Sequence, residues 1–337
     1  MVKKGKKAVK TAEIYTHTHT HTHTHTRVFL PCLFLTIFSL PTFAATNLNT
    51  AIQNAKTACS GINDSMAHLK TMAGINTAVT AVGTVTGGVA LGTGIAKYSV
   101  DKEQAELANK VAKLIAEKSN VPIEKLEIEN EAEFRAAIHN AAYSDSSIKS
   151  DIQKINELEQ KSKTLGNVRT GTLAASTVTN VAGTAIAATN KVDEGLEEKI
   201  NKCIATIKEL SSAKLAAKVE NTATDAELAN ADKIITACRD YEYIDIKPIN
   251  KHATGAAVAS GIGVGTGVVG TITSAVANTD KTRAGDEKTE KNLNTTANLM
   301  SGASTVASAT ATIFNATQIS AIKKVATVAE ACEGALK

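Results

Sequence analysis

Residues 252–279 read HATGAAVASGIGVGTGVVGTITSAVANT, a stretch without a single Asp, Glu, Lys or Arg. Two spacings run through it. Val258, Ile262, Gly265, Val269, Ile272 and Val276 step by 4, 3, 4, 3 and 4, while Ala256, Ser260, Gly263, Gly267, Gly270, Ser274 and Ala277 step by 4, 3, 4, 3, 4 and 3. Both are helical periods. The stretch therefore predicts a helix with a stripe of small residues, against which a second backbone can approach closely. Each interior glycine disfavours helix by about 1 kcal/mol relative to alanine, so such a helix needs tight packing against a neighbour. The competing reading is a strand, because Gly261, Gly263, Gly265 and Gly267 also alternate with period two and Val and Thr favour sheets.

Three further stretches lack charge: 71–96, 170–190 and 292–322. In the first, Ile75, Val79, Val82, Val85 and Val89 keep helical spacing, and Gly83, Gly87, Ala90 and Gly94 form a second small-residue stripe. In the last, Leu299, Val306 and Ile313 recur every seventh residue. The spacing resembles that of glycine-zipper segments in some bacterial envelope proteins. Cysteines arrange the four runs into pairs. Cys59 precedes the first run by twelve residues, Cys203 follows the second by thirteen, Cys238 precedes the third by fourteen and Cys332 follows the fourth by ten. If the runs of a pair fold back on each other, both cysteines arrive at one end. The expected bridges are Cys59 with Cys203 and Cys238 with Cys332, one of the three pairings that four cysteines allow.

The resulting expectation is a mainly α fold of two tandem antiparallel hairpins, each bracketed by a disulfide. The first occupies 45–215 and the second, with a polar linker helix over 218–237, occupies 216–337. Residues 97–169 read as a charged helical insertion in the first hairpin, from periodic positions such as Leu107, Val111 and Leu114, Phe134 and Ile138, and Ile148, Ile152 and Ile155. Residues 240–250 read as extended, because Tyr241, Tyr243 and Ile244 cluster before Pro248.

Residues 1–44 have the layout of a secretory signal peptide: a lysine-rich start, the apolar run VFLPCLFLTIFSL at 28–40, then Thr42 and Ala44 at the positions a signal peptidase reads. Cleavage is expected after Ala44. Cys32 lies inside the apolar run and not at its end, which argues against a lipid anchor. The Thr-His alternation at 16–26, with His17, His19, His21, His23 and His25, has imidazoles for metal binding. DNA slippage generates the same repeat, and the tract leaves with the leader. Without residues 1–44, 31 of the 37 basic and 32 of the 33 acidic residues remain, a formal net charge of −1. No basic stripe survives to track phosphates, so nucleic acid is not an expected partner.

Few motifs carry chemistry. His68, His139 and His252 show no metal-ligand spacing. Gly261, Gly263 and Gly265 fall short of a dinucleotide fingerprint because Thr266 stands where the third glycine is needed. No catalytic residue, metal or cofactor is expected. The reading is an exported, non-enzymatic structural or interaction protein of the periplasm, envelope or extracellular space, with a protein partner or self-association. The alternative is a membrane-inserting or pore-forming protein using the glycine-striped hairpins. The polar residues of the fourth run, Asn292, Asn294, Asn298, Asn315 and Gln318, argue against insertion of that pair.

Overall fold

The computed structural model describes residues 47–119, 145–279, 282 and 287–337, and among them nearly all are helical and none is in a strand. Leu48–Cys59 form α1, Ile62–Ser119 α2, Ser146–Thr189 α3, Glu194–Glu220 α4, Asp225–Cys238 α5, Lys247–Ala277 α6 and Glu287–Leu336 α7. Local signals set the boundaries. The side chains of Asn47, Asp145, Asp193 and Thr224 each accept a backbone N–H at a helix start, satisfying donors that have no partner within the helix. Gly61, at φ 75°, turns the chain between α1 and α2 in a region that side chains avoid. Asn221 closes α4 in the left-handed conformation, so the expected polar helix over 218–237 is divided between α4 and α5.

Two expectations change. Residues 240–250 are not extended: Arg239–Tyr243 form a 3-10 turn, and α6 begins at Lys247 with Pro248 in its first turn. Proline there lacks only an N–H that would have no helical partner, and its fixed φ suits a helix start. Residues 97–169 begin and end as direct continuations of α2 and α3. Val111 and Ile148 are buried between these extensions with Leu114, Ile152 and Ile155 around them, and Lys110 reaches Asp151 at 2.8 Å. Phe134 and Ile138, the leader 1–44 and most of the turn at 280–286 lie outside the described residues.

Residues 45–337 form one compact unit. Within it α2, α3, α6 and α7 stand side by side in a ring, α7 closing on α2. Their register follows from the glycines. Gly83, Gly87 and Gly94 lie against Thr179, Ser176 and Arg169 of α3, and against Ser308, Thr305 and Asn298 of α7. Numbers fall on the partners as they rise on α2, so both contacts are antiparallel. Gly263 and Gly267 meet Asn180 and Thr177 of α3 in the same sense, and Gly267 and Gly270 meet Ser304 and Met300 of α7.

Buried positions recur every 3.5 residues on average along these helices: Leu69, Ala73, Asn76, Thr80, Gly83, Gly87, Ala90, Gly94 and Lys97 on α2 are one such row. That is the period of a coiled-coil seam. What fills the seam changes along its length. At the end holding the disulfides, Ile62, Met66, Leu210, Ile234 and Ile322 pack with α1, α4 and α5 into an apolar core. That core stops near Ala73, Ile249 and Ile322. Beyond it the interior is mostly Gly, Ala, Ser, Thr and Asn, with Leu173 the large apolar exception.

Candidate functional site

The small-residue interior has a consequence for the outside of the bundle. With the small and polar residues facing inward, most of the larger apolar residues of each run face outward, Leu173 excepted. Val82, Val85 and Val89 on α2, Val178 and Val181 on α3, Val258, Ile262, Val269 and Ile272 on α6, and Leu299, Val306 and Ile313 on α7 are all exposed, Val178 and Val306 by 68% and 67%. Over residues 75–96, 171–188, 255–276 and 296–316, every exposed residue is Gly, Ala, Val, Leu or Ile. These segments sit at one level, because the antiparallel register pairs Gly83 with Thr179 and Ser308, and Gly183 with Ser260. At 1.5 Å per residue they form a belt roughly 30 Å tall.

The threonines of the belt fit the same pattern. Thr84, Thr86, Thr266, Thr273 and Thr310 each donate the hydroxyl to a carbonyl one turn earlier, at 2.8–3.0 Å. Their polar atoms are satisfied within the helix. By length and composition α2 and α6 are apolar enough to cross a membrane, yet only 28% and 33% of their most apolar windows are buried. A core helix of a water-soluble protein has the opposite balance.

Inside the belt the polar groups bond across helices. Asn76 donates to Asn315 at 2.9 Å and Ser308 to Asn180 at 2.9 Å, while Ser176 and Ser304 donate to the carbonyls of Gly83 and Gly263. Farther from the cap, fully buried Arg169 donates to Ser274, Asn298 and Asn294 at 2.8, 3.3 and 2.7 Å. Lys97, 1% exposed, lies between Asp101 at 2.5 Å and Glu290 at 3.2 Å. Four helices thus share one set of charge-assisted bonds, which holds their register. Periodicity alone did not single out Lys97, Arg169, Asp101 and Glu290. The signal available was position: Lys97 and Arg169 are the first charges beyond the apolar runs of α2 and α3.

The predicted site residues fall in two places. Gly83, Gly87, Gly94, Gly263, Gly267 and Gly270 all face the interior, where a Cβ would come within 3.0 Å of a side chain of the neighbouring helix. The four cysteines lie in the cap, bridged as Cys59–Cys203 and Cys238–Cys332 with Cα–Cα distances of 4.7 and 4.5 Å. Those bridges tie α1 to α4 and α5 to α7. His68 lies on the surface of the cap, His252 contacts Thr317 at 3.2 Å, and His139 lies outside the described residues. Among the described residues the one grouping with metal-ligand geometry is Cys59, Cys203 and Cys332, whose sulfurs are held in disulfides. No protein-family model, curated protein or solved structure matches the chain.

Proposed function

We propose that the chain is an exported, non-enzymatic helical protein of the cell envelope whose four-helix belt is seated in a lipid bilayer. In this reading the two glycine-striped hairpins are α2 with α3 and α6 with α7, and the disulfide cap stands on the oxidising side of the membrane. The observation that carries the reading is the outer face of the belt. Four helices contribute apolar residues to it at one level, over about the 30 Å of a bilayer's hydrocarbon core. A surface of that extent exposed to water would associate or aggregate.

Charge placement supports the same reading. On leaving the belt toward the cap along each of the four helices, the first charged residue is a lysine: Lys70, Lys191, Lys251 and Lys323. Such a collar fits anionic headgroups. Tyr98, 52% exposed, stands just beyond the belt at the other edge, where amphipathic aromatic rings favour a membrane interface. Hydropathy averaged along α7 counts Asn294, Asn315 and Gln318 against insertion, but these three are buried inside the bundle. Disulfides are consistent with an exported compartment.

Flotation on vesicles containing phosphatidylglycerol, followed by alkaline carbonate extraction, tests the proposal. The expected result is that the protein floats and stays in the carbonate pellet. Recovery in the carbonate supernatant, whether as monomer or as an oligomer covering its own belt, overturns it.

A further inference from the structure

The cap places its two disulfides in contact. The sulfurs of Cys59, Cys203 and Cys332 lie within 4.8 Å of one another, so Cys332 sits against the Cys59–Cys203 bridge while bonded to Cys238. Cys238 takes the opposite position. It lines a pocket of about 200 Å³ with Ile204, Lys208, Arg239, Tyr241 and Glu242, which the other three cysteines do not line. The four cysteines are 0–1% exposed, and this pocket brings open space up to one of them, Cys238. Tyr241 also lines it, is 1% exposed and has a hydroxyl without a hydrogen-bond partner. Lys208 and Arg239 also border it, each paired with a carboxylate, Lys208 with Glu242 at 3.1 Å and Arg239 with Asp240 at 3.8 Å.

We propose that the two bridges form a thiol–disulfide exchange relay that accepts a small thiol at Cys238. In the first step the thiolate sulfur bonds to Cys238 Sγ, the Cys238–Cys332 bond breaks, and its electron pair leaves on Cys332 as thiolate. In the second step Cys332 Sγ attacks the adjacent bridge, bonding to Cys59 or Cys203 and releasing the other as thiolate, which takes up the proton of the incoming thiol. A second thiol then resolves the mixed disulfide at Cys238. Two thiols become one disulfide and the protein gains two electrons. The exchange moves a covalent tie: a Cys332–Cys59 bond joins α7 to α1, where the resting protein joins α7 to α5. This inference rests on the cap alone and does not depend on the belt meeting lipid.

Two variants separate the relay from random reshuffling. The full chain is prepared as Cys238→Ala and as Cys332→Ala, acid-quenched, digested with pepsin and mapped without reduction. In Cys238→Ala the relay places Cys332 in a bond with Cys59 or Cys203 and leaves the other free; in Cys332→Ala the lone thiol stays on Cys238 and the Cys59–Cys203 bridge is intact. A Cys238→Ala protein whose only free thiol is Cys332 overturns the proposal, and so does equal scrambling in both variants. If Cys238→Ala lacks the helical circular dichroism of the wild type, reduced glutathione on the wild type decides. Glutathione on Cys238 together with a Cys332–Cys59 or Cys332–Cys203 bond supports the relay. Glutathione on Cys238 with an intact Cys59–Cys203 bridge, or no glutathione there, overturns it.

Discussion

The glycines of α6 give the sharpest test of the packing. In a strand, Gly261 and Gly263 share a face; in a helix they are about 200° apart. The structure puts Gly261 outside, with nothing within 4 Å of the place an added methyl carbon would take, and Gly263 inside, where that carbon falls 2.7, 2.7 and 3.0 Å from Cγ, Nδ2 and Oδ1 of Asn180. The amide of Asn180 is not free to retreat, since Ser308 donates to its Oδ1 at 2.9 Å. Gly261→Ala therefore gains the helix propensity of alanine alone, about 1 kcal/mol. Gly263→Ala gains the same amount but adds overpacking of about 1–3 kcal/mol and strains a buried hydrogen bond worth about 1 kcal/mol. The two variants should differ by roughly 2–4 kcal/mol, on opposite sides of the wild type. Thermal unfolding followed by circular dichroism, with all three proteins in one solvent, separates them by at least roughly 4 °C at the lower end of the 2–4 °C per kcal/mol usual for 150–250-residue chains. If Gly263→Ala melts at or above Gly261→Ala, the interior assigned to α6 is wrong.

Other consequences are as direct. Val306→Lys, at mid-belt and 67% exposed, should cost about 3 kcal/mol of insertion if lipid surrounds it, or about a hundredfold in the membrane-bound fraction on flotation; an unchanged distribution contradicts a bilayer-facing position. Arg169→Met keeps the volume but strips donors from Ser274, Asn294 and Asn298, and should lower stability by about 3 kcal/mol, read as a lower denaturation midpoint. The carboxylate of Glu227 is held below the usual range, first by the backbone N–H of Thr224, then by its hydroxyl and the amide of Asn49. A depressed value means that its stabilisation is present above the unfolded glutamate value, about 4.3, and is lost as pH falls through the lower folded one. Amide protection at the start of α5 should therefore fall on acidification in the wild type, and less so in Glu227→Gln. Tyr241 has its phenol pushed up by burial and then by Glu333, so its stabilisation is complete below the ordinary tyrosine value, about 10, and falls as pH rises beyond it; spectrophotometric titration of Tyr241→Phe against wild type isolates that phenol.

Much of the architecture was legible because one residue type did one job. The 4, 3 spacing of Gly263, Gly267 and Gly270 pointed to a helix, which α6 is, and the distances of Cys59, Cys203, Cys238 and Cys332 from the apolar runs pointed to the two bridges present. Pro248 misled because a proline after aromatic residues is compatible with an extended segment or a helix start, and the choice depends on Tyr241 being buried in the cap. Charge resumes along the chain at 97 and ends at 169. Both positions lie inside the bundle, since Lys97 and Arg169 are buried against partners on α7 and α6 that are more than a hundred residues away. Local spacing carries no information about such partners.

Helical period is also blind to which side of a run faces inward. A run with a large-residue stripe on one side and a small-residue stripe on the other is equally periodic either way. Four such runs in one ring decide it together. If the valines faced inward, the backbones would have to separate to hold them, and the polar row of Asn76, Thr80, Asn180 and Asn315 would lose its short interhelical bonds. With the small residues inward the helices approach closely and those bonds close, but the apolar surface is left outside. In water that surface forgoes the stabilisation of about 25 cal/mol per Å² that burial would bring; lipid supplies an apolar surrounding for it. The cap has the opposite construction, an apolar core stapled by two disulfides, and so holds the ends of α2, α6 and α7 by a force that lipid does not supply. The scarcity of aromatic residues fits the same division: small side chains dominate the belt interior, with the ring of Phe314 set against Gly255 between α6 and α7, and the cap core is filled by Ala, Ile, Leu, Val, Met and a single buried tyrosine.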